Sequence, residues 1–163
     1  MAYRGNRPAD SLIKAARLGP QAWIDLARAV LELAIANRKL GARTAGELLA
    51  SAGNAAALVG DQSLSGRQAR LVSRVAFAIP RMAARMPWRS DCLVQALAAQ
   101  RWLRRNHIAT ALTIGVLKEP DSEFAAHAWL KVGDAIVTGG DITGFEPLVA
   151  AGPGLPPPAK LAG

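Results

Sequence analysis

The chain has one cysteine among 163 residues, two histidines and one tyrosine. A single cysteine excludes an intramolecular disulfide and a multi-cysteine zinc site, and it fits a reducing compartment. Two histidines leave little for a histidine-built metal centre. Aromatic residues reach only 5% while hydrophobic residues reach 51%, alanine foremost, which favours helix packing over a β-sandwich. Acidic residues are outnumbered, 12 against 20 basic ones, for a net charge of +8. That balance admits an acidic or phosphate-bearing partner as well as a plain basic surface. With few aromatics for base stacking, no zinc module and no RNA-binding motif, a nucleic-acid partner is not expected. No uninterrupted apolar run approaches the ~18 residues of a membrane span. Met1 to Ala9 holds charge and proline without an apolar core, so no signal peptide is expected. These bounds describe a cytoplasmic, globular chain of one domain, or a small domain with a helical extension.

What is present divides into two halves. In the first, Ser11 to Leu18 suits a short basic helix, and Gly19-Pro20 opens a stronger one through about Lys39. Its apolar positions Trp23, Ile24, Ala27, Val30, Leu31, Ala34 and Ile35 follow a 3.6-residue period and are expected to face the core. Asp25, Arg28 and Glu32 lie three and four apart on the other side, where they can pair with one another. Gly41 ends the helix, Thr44 to Leu49 suits a short one, and Ala50 to Gly60 is rich in small residues. Ser65 and Gln68 have capping-box spacing. They start a helix with Leu71, Val72, Val75 and Ile79 inward and a row of Arg67, Arg70 and Arg74 outward. Pro80 removes a backbone donor, so a kink or a helix junction is expected there.

Pro87 stops what precedes, and Ser90 is a good N-cap for a helix through about Arg105. Leu93, Ala96, Leu97 and Leu103 should point inward, and Asn106-His107 closes the turn. The period then changes. Ile108 to Lys118 reads as a strand, Glu119-Pro120-Asp121-Ser122 as a turn, and Phe124 to Val132 as a second strand. Gly133-Asp134 makes a hairpin to a third strand, Ala135 to Thr138, and Phe145 to Val149 adds a short final one. Pro153 and Pro156-Pro157-Pro158 give an irregular tail. Helices first, then one helix feeding an antiparallel sheet, define an α+β layout.

Cys92 falls in the first turn of its helix, where free N–H groups and the dipole favour a thiolate. Taken alone, it reads first as a small buried apolar residue. His127 on the following strand changes the reading, because nucleophilic thiol chemistry needs an imidazole to accept the thiol proton and return it to the leaving amine. The imidazole needs a partner of its own to fix its tautomer. Asp141 and Asp134 compete for that role. Asp134 suits turn chemistry, whereas pairing around the hairpin puts positions near 139 and 140 opposite His127, with Asp141 within reach through a bulge. The Cys92 N–H can serve an oxyanion, and Gln95 either assists it or caps a surface. The chemistry is acyl transfer to water or to an amine.

The segments Met86-Pro87-Trp88-Arg89-Ser90-Asp91-Cys92-Leu93-Val94-Gln95-Ala96-Leu97, Leu103-Arg104-Arg105 and Ile114-Gly115-Val116 come in this order. They are followed by Ala126-His127-Ala128-Trp129-Leu130, Val137-Thr138-Gly139-Gly140 and Phe145-Glu146-Pro147-Leu148. This pattern resembles the leader peptidases of lasso-peptide biosynthesis. The resemblance implies a papain- or transglutaminase-like fold with a Cys-His-Asp triad: Cys92 as nucleophile, His127 as base and Asp141 as acid. Many relatives carry an aspartate directly after the return strand, where this chain has Gly139. The division it implies is a helical region over 1–80, a transglutaminase-like peptidase core over 81–150 and a tail over 151–163. It further implies a ribosomally made leader–core precursor as substrate, no cofactor, and a separate ATP-dependent cyclase that closes the macrolactam. Residues 1–80 lack the strand-rich pattern of the leader-binding domain fused to some members, so a separate leader-recognition protein is expected. The other reading is an inactive transglutaminase-like scaffold that only binds a peptide or partner.

Overall fold

The computed structural model describes residues 19–42, 63–117 and 126–150. Within them three helices precede a four-stranded sheet: α1 (Pro20–Ala42), α2 (Gly66–Ala83), α3 (Cys92–Arg104), β1 (Ala111–Leu117), β2 (Ala126–Val132), β3 (Ala135–Thr138) and β4 (Phe145–Ala150). The fold is α+β, as the change of period requires. The expected helices at 11–18 and 44–49, the small-residue stretch at 50–60, the turn at 119–122 and the tail beyond 150 lie outside the described residues.

The sheet order is β3-β2-β1-β4, antiparallel throughout. The last strand therefore crosses the sheet to pair with β1 instead of extending the β2–β3 hairpin. Strand alternation splits β2 into two faces. Leu130 and Val132 join Leu112 and Val137 in a core shared with all three helices. His127 and Trp129 share the opposite face and lie against Phe145 of β4. The largest fully buried side chain is Trp102, and Leu33, Ile79, Leu103 and Ile108 are fully buried too. The sequence boundary expected at residue 80 falls inside α2, and Ala29, Leu33 and Ala36 of α1 pack in the same core as Leu130 of β2.

Helix α1 is turned the other way from its apolar periodicity. Trp23, Ile24 and Leu31 are 52%, 61% and 56% exposed, while Asp25 and Glu32 are buried with Ala29, Leu33 and Ala36. The reason lies on the neighbouring helices. Arg74 of α2 donates through Nε to Asp25 Oδ2 at 2.6 Å and through Nη2 to Oδ1, and Arg101 of α3 pairs with Glu32. Asp25 and Glu32 turn inward to meet these two guanidiniums, and a buried carboxylate without its partner is far costlier than an exposed leucine. Arg28 stacks over the Trp102 ring at 5.0 Å and reaches Glu32 at 3.8 Å. Arg74 thus leaves the outward arginine row, of which Arg67 and Arg70 remain exposed.

Local signals are obeyed closely. Ser65 Oγ accepts from Gln68 N–H at 3.3 Å and Gln68 Oε1 accepts from Ser65 N–H at 3.0 Å, so the capping box is complete. Pro80 lies within an unbroken α2. It sits one turn from the end, where the helix absorbs the missing donor without dividing. No helix among the described residues is long and apolar enough to cross a membrane.

Candidate active site

Helix α3 begins at Cys92, and its N-cap is Asp91, one residue later than expected. Asp91 is extended, and its Oδ1 accepts from Val94 N–H at 3.2 Å. Gln95 N–H bonds to Asp91 C=O at 3.0 Å. Cys92 is therefore the first helical residue, and its own N–H belongs to the set that a helix start leaves without an intrahelical acceptor. Ser90 instead offers its carbonyl to Gln95 Nε2 at 2.8 Å, which ties the segment entering the helix to the side chain one turn inside. The thiol is free and half-buried.

Cys92 and His127 line one open cleft of about 620 Å³. One wall is the start of α3, with Cys92 and Gln95. A second is the end of α2, with Ala76 and Pro80. The third runs from Ile136 to Gly140. Ala76 and Pro80 are four apart and so share one helix face, and Pro80 has no N–H to give the Ala76 carbonyl. Sequence periodicity pointed to neither residue as part of a site.

The imidazole is held on three sides. Its Nε2 lies 2.6 Å from the Gly139 carbonyl oxygen. The Phe145 ring is 5.0 Å away and the Trp129 ring 6.3 Å, both tilted. Gly115 of β1, paired with His127, leaves room for this cluster. A Cβ there would lie 2.6 Å from the Trp129 ring and 2.6 Å from the Glu146 carbonyl.

The two candidate acids occupy different surroundings. Asp134 is exposed in the turn between β2 and β3, at the far end of both strands from His127. Asp141 is exposed beyond the end of β3, and its Oδ1 accepts from Thr143 N–H at 2.9 Å. Hydrogen bonding from Thr143 to the charged form, by its side chain foremost and then by this N–H, holds the Asp141 carboxyl below its ordinary value. The acceptor on His127 Nε2 is the Gly139 backbone. The Gly139-Gly140 pair was the signal in the sequence, since consecutive glycines at a strand end mark backbone that must turn sharply or approach closely. Among the described residues no group of three or more His, Cys, Asp or Glu could hold a metal ion.

A family model described as the transglutaminase-like superfamily (Transglut_core3) matches residues 24–150. The matched span takes in most of α1, then α2, α3 and the whole sheet. No curated protein and no solved structure matches the chain.

Proposed function

The chain belongs to the transglutaminase-like superfamily, and from that membership we propose that it is a cysteine peptidase with Cys92 as nucleophile and His127 as general base. The observation that carries this reading is the opening of Cys92, at the first position of a helix, and His127 into one cleft. The Nε2 contact to a carbonyl leaves Nδ1 as the basic nitrogen of the neutral ring. Nδ1 takes the Sγ proton, and the thiolate adds to the scissile carbonyl carbon. The Cys92 N–H is available to the resulting oxyanion. Collapse breaks the C–N bond as the imidazolium returns its proton to the leaving amine. Water then attacks the thioester, its proton passing to His127. The acyl half leaves as a carboxylic acid and the thiol is restored. No metal or organic cofactor enters these steps.

The substrate we propose is the leader–core precursor of a lasso peptide. The leader leaves as the acyl half, and the core leaves with the free amine that a separate ATP-dependent cyclase joins into a macrolactam. This finer reading is supported by the ordered segments around Cys92, His127 and Phe145 that resemble lasso leader peptidases. A separate leader-recognition protein delivers the precursor.

The test is incubation of the chain with a leader–core peptide, with and without its leader-recognition protein, read by mass spectrometry. The expected result is one cut at the leader–core junction, abolished by Cys92→Ala and by His127→Ala. An intact peptide in the presence of that protein would exclude leader removal. A peptide bound but left intact would point to a scaffold. Transfer of the acyl group to an added amine in place of hydrolysis would make the chain an acyltransferase.

A further inference from the structure

Among the described residues, no carboxylate lines the cleft that holds Cys92 and His127. Its residues are Ala76, Pro80, Gln95 and the run from Ile136 to Gly140, with Cys92 and His127 the titratable pair. Among the described acids, Asp91 caps α3 and Asp141 accepts from Thr143. The atom bonded to the imidazole is instead a backbone oxygen, at 2.6 Å. We propose that the carbonyl of Gly139, in place of a side-chain acid, is the positioning group that sets the His127 tautomer and ring orientation for Cys92. This inference rests on the peptidase reading given above.

Three features build the contact. A carbonyl oxygen only accepts, so Nε2 must carry hydrogen in both the neutral and the charged ring, and Nδ1 is the nitrogen that gains and loses the catalytic proton. Gly139 has φ +111°, in the region that side chains rarely adopt, and a Cβ there would lie 2.4 Å from Trp129 Cβ and 2.9 Å from Trp129 Cα. No side-chain-bearing residue fits without moving β2, so an aspartate at 139 has no place in this site. The register shift between Leu130 and Lys131 brings Thr138 opposite Leu130 as the last ladder pair, and Gly139 lies one residue beyond it. Trp129 thus acts twice. Its backbone and Cβ pack against Gly139, and its ring shares a face with the imidazole.

A carbonyl dipole orients an imidazole as a carboxylate does, but it supplies no full charge to stabilise the imidazolium. Substitution of Gly139 itself would disturb folding, so the chemical change belongs at the next peptide bond. Replacing Gly140 with glycolate by semisynthesis converts that amide to an ester and weakens the Gly139 carbonyl as an acceptor. Every side chain is left in place. Circular dichroism checks the fold, and the pH profile of Cys92 alkylation reads the chemistry. The ester is expected to slow alkylation near neutral pH about twofold to tenfold, the span of one ordinary hydrogen bond. Asp141→Asn is expected to leave the profile unchanged. Nitrogen-15 NMR of the wild-type ring should show the neutral Nε2–H tautomer. A dominant Nδ1–H tautomer, or an Asp141→Asn profile shifted as far as that of His127→Ala, would overturn the proposal and leave the peptidase reading standing. A profile indifferent to His127→Ala would overturn both.

Discussion

Replacing Arg74 with methionine strands the Asp25 carboxylate inside the helical layer. The pair is lopsided: the Asp25 side chain is 5% exposed and that of Arg74 is 40% exposed. Both guanidinium contacts go to this one carboxylate, and among the described residues the other donor to it is Gln21 Nε2 at 3.3 Å. The same bond raises the Arg74 pKa above its ordinary value. Without Arg74, a buried charge keeps one weak hydrogen bond, which costs about 3–5 kcal/mol. Without Asp25, the half-exposed guanidinium turns to water and the loss is about 1.5 kcal/mol. Arg74→Met should therefore be more damaging than Asp25→Ala by roughly 2 kcal/mol, a melting-temperature gap of about 4–8 °C at this size. The double variant Asp25→Leu/Arg74→Met should recover most of the loss, since an apolar pair of similar volume replaces a buried ion pair at little cost. Urea denaturation followed by tryptophan fluorescence measures all three. Equal losses for the two single variants, or a larger one for Asp25→Ala, would refute the inward-acid account of α1.

Three further outcomes test neighbouring parts of the structure. Leu33→Ala should cost about 2–5 kcal/mol and Leu31→Ala about 0.5 or less, because Leu33 is in the core and Leu31 faces outward; thermal denaturation of each compares them. Gly115→Ala pushes a methyl into the Trp129 ring and the Glu146 carbonyl, so it should destabilise by about 1–3 kcal/mol and slow Cys92 alkylation by displacing the His127 cluster. Asp141 has a folded-state pKa below its ordinary value of 3.8, so its stabilising effect is present above that value and is lost as pH falls through the lowered one. Wild type and Asp141→Asn should accordingly differ in urea midpoint near pH 6 and converge near pH 2.

The parts of this structure legible in the sequence are those set by local chemistry. Ser65 and Gln68 announce their cap, Gly133-Asp134 announces the hairpin, and the change of period after His107 announces the sheet. His107 itself, with φ +55°, closes α3 as a turn residue. The cap of α3 was displaced by one position because Ser90 and Asp91 are both good caps, and only the backbone decides which of them is extended. The face of α1 was not legible, because hydrophobic period is a statement about one helix. Burial of Asp25 and Glu32 depends on Arg74 and Arg101, 49 and 69 residues away in sequence. The pairing of β4 with β1 was hidden for the same reason. At the candidate site, side-chain types pointed to Cys92 and His127, which line one cleft. The group that meets His127 Nε2 carries no side-chain signal, because it is the Gly139 carbonyl, placed by a bulge, a positive φ and the bulk of Trp129.

Whether Cys92 and His127 act as one proton-sharing pair is read by the pH dependence of Cys92 alkylation in wild type and in His127→Ala. The chain has no other cysteine, so the signal has a single source. The wild-type thiol should alkylate readily at neutral pH. His127→Ala should slow alkylation at neutral pH and matter little at alkaline pH, where a thiol ionises without a base. A thiol that titrates identically in both proteins, with the leader-recognition protein present as well as absent, would contradict such a pair.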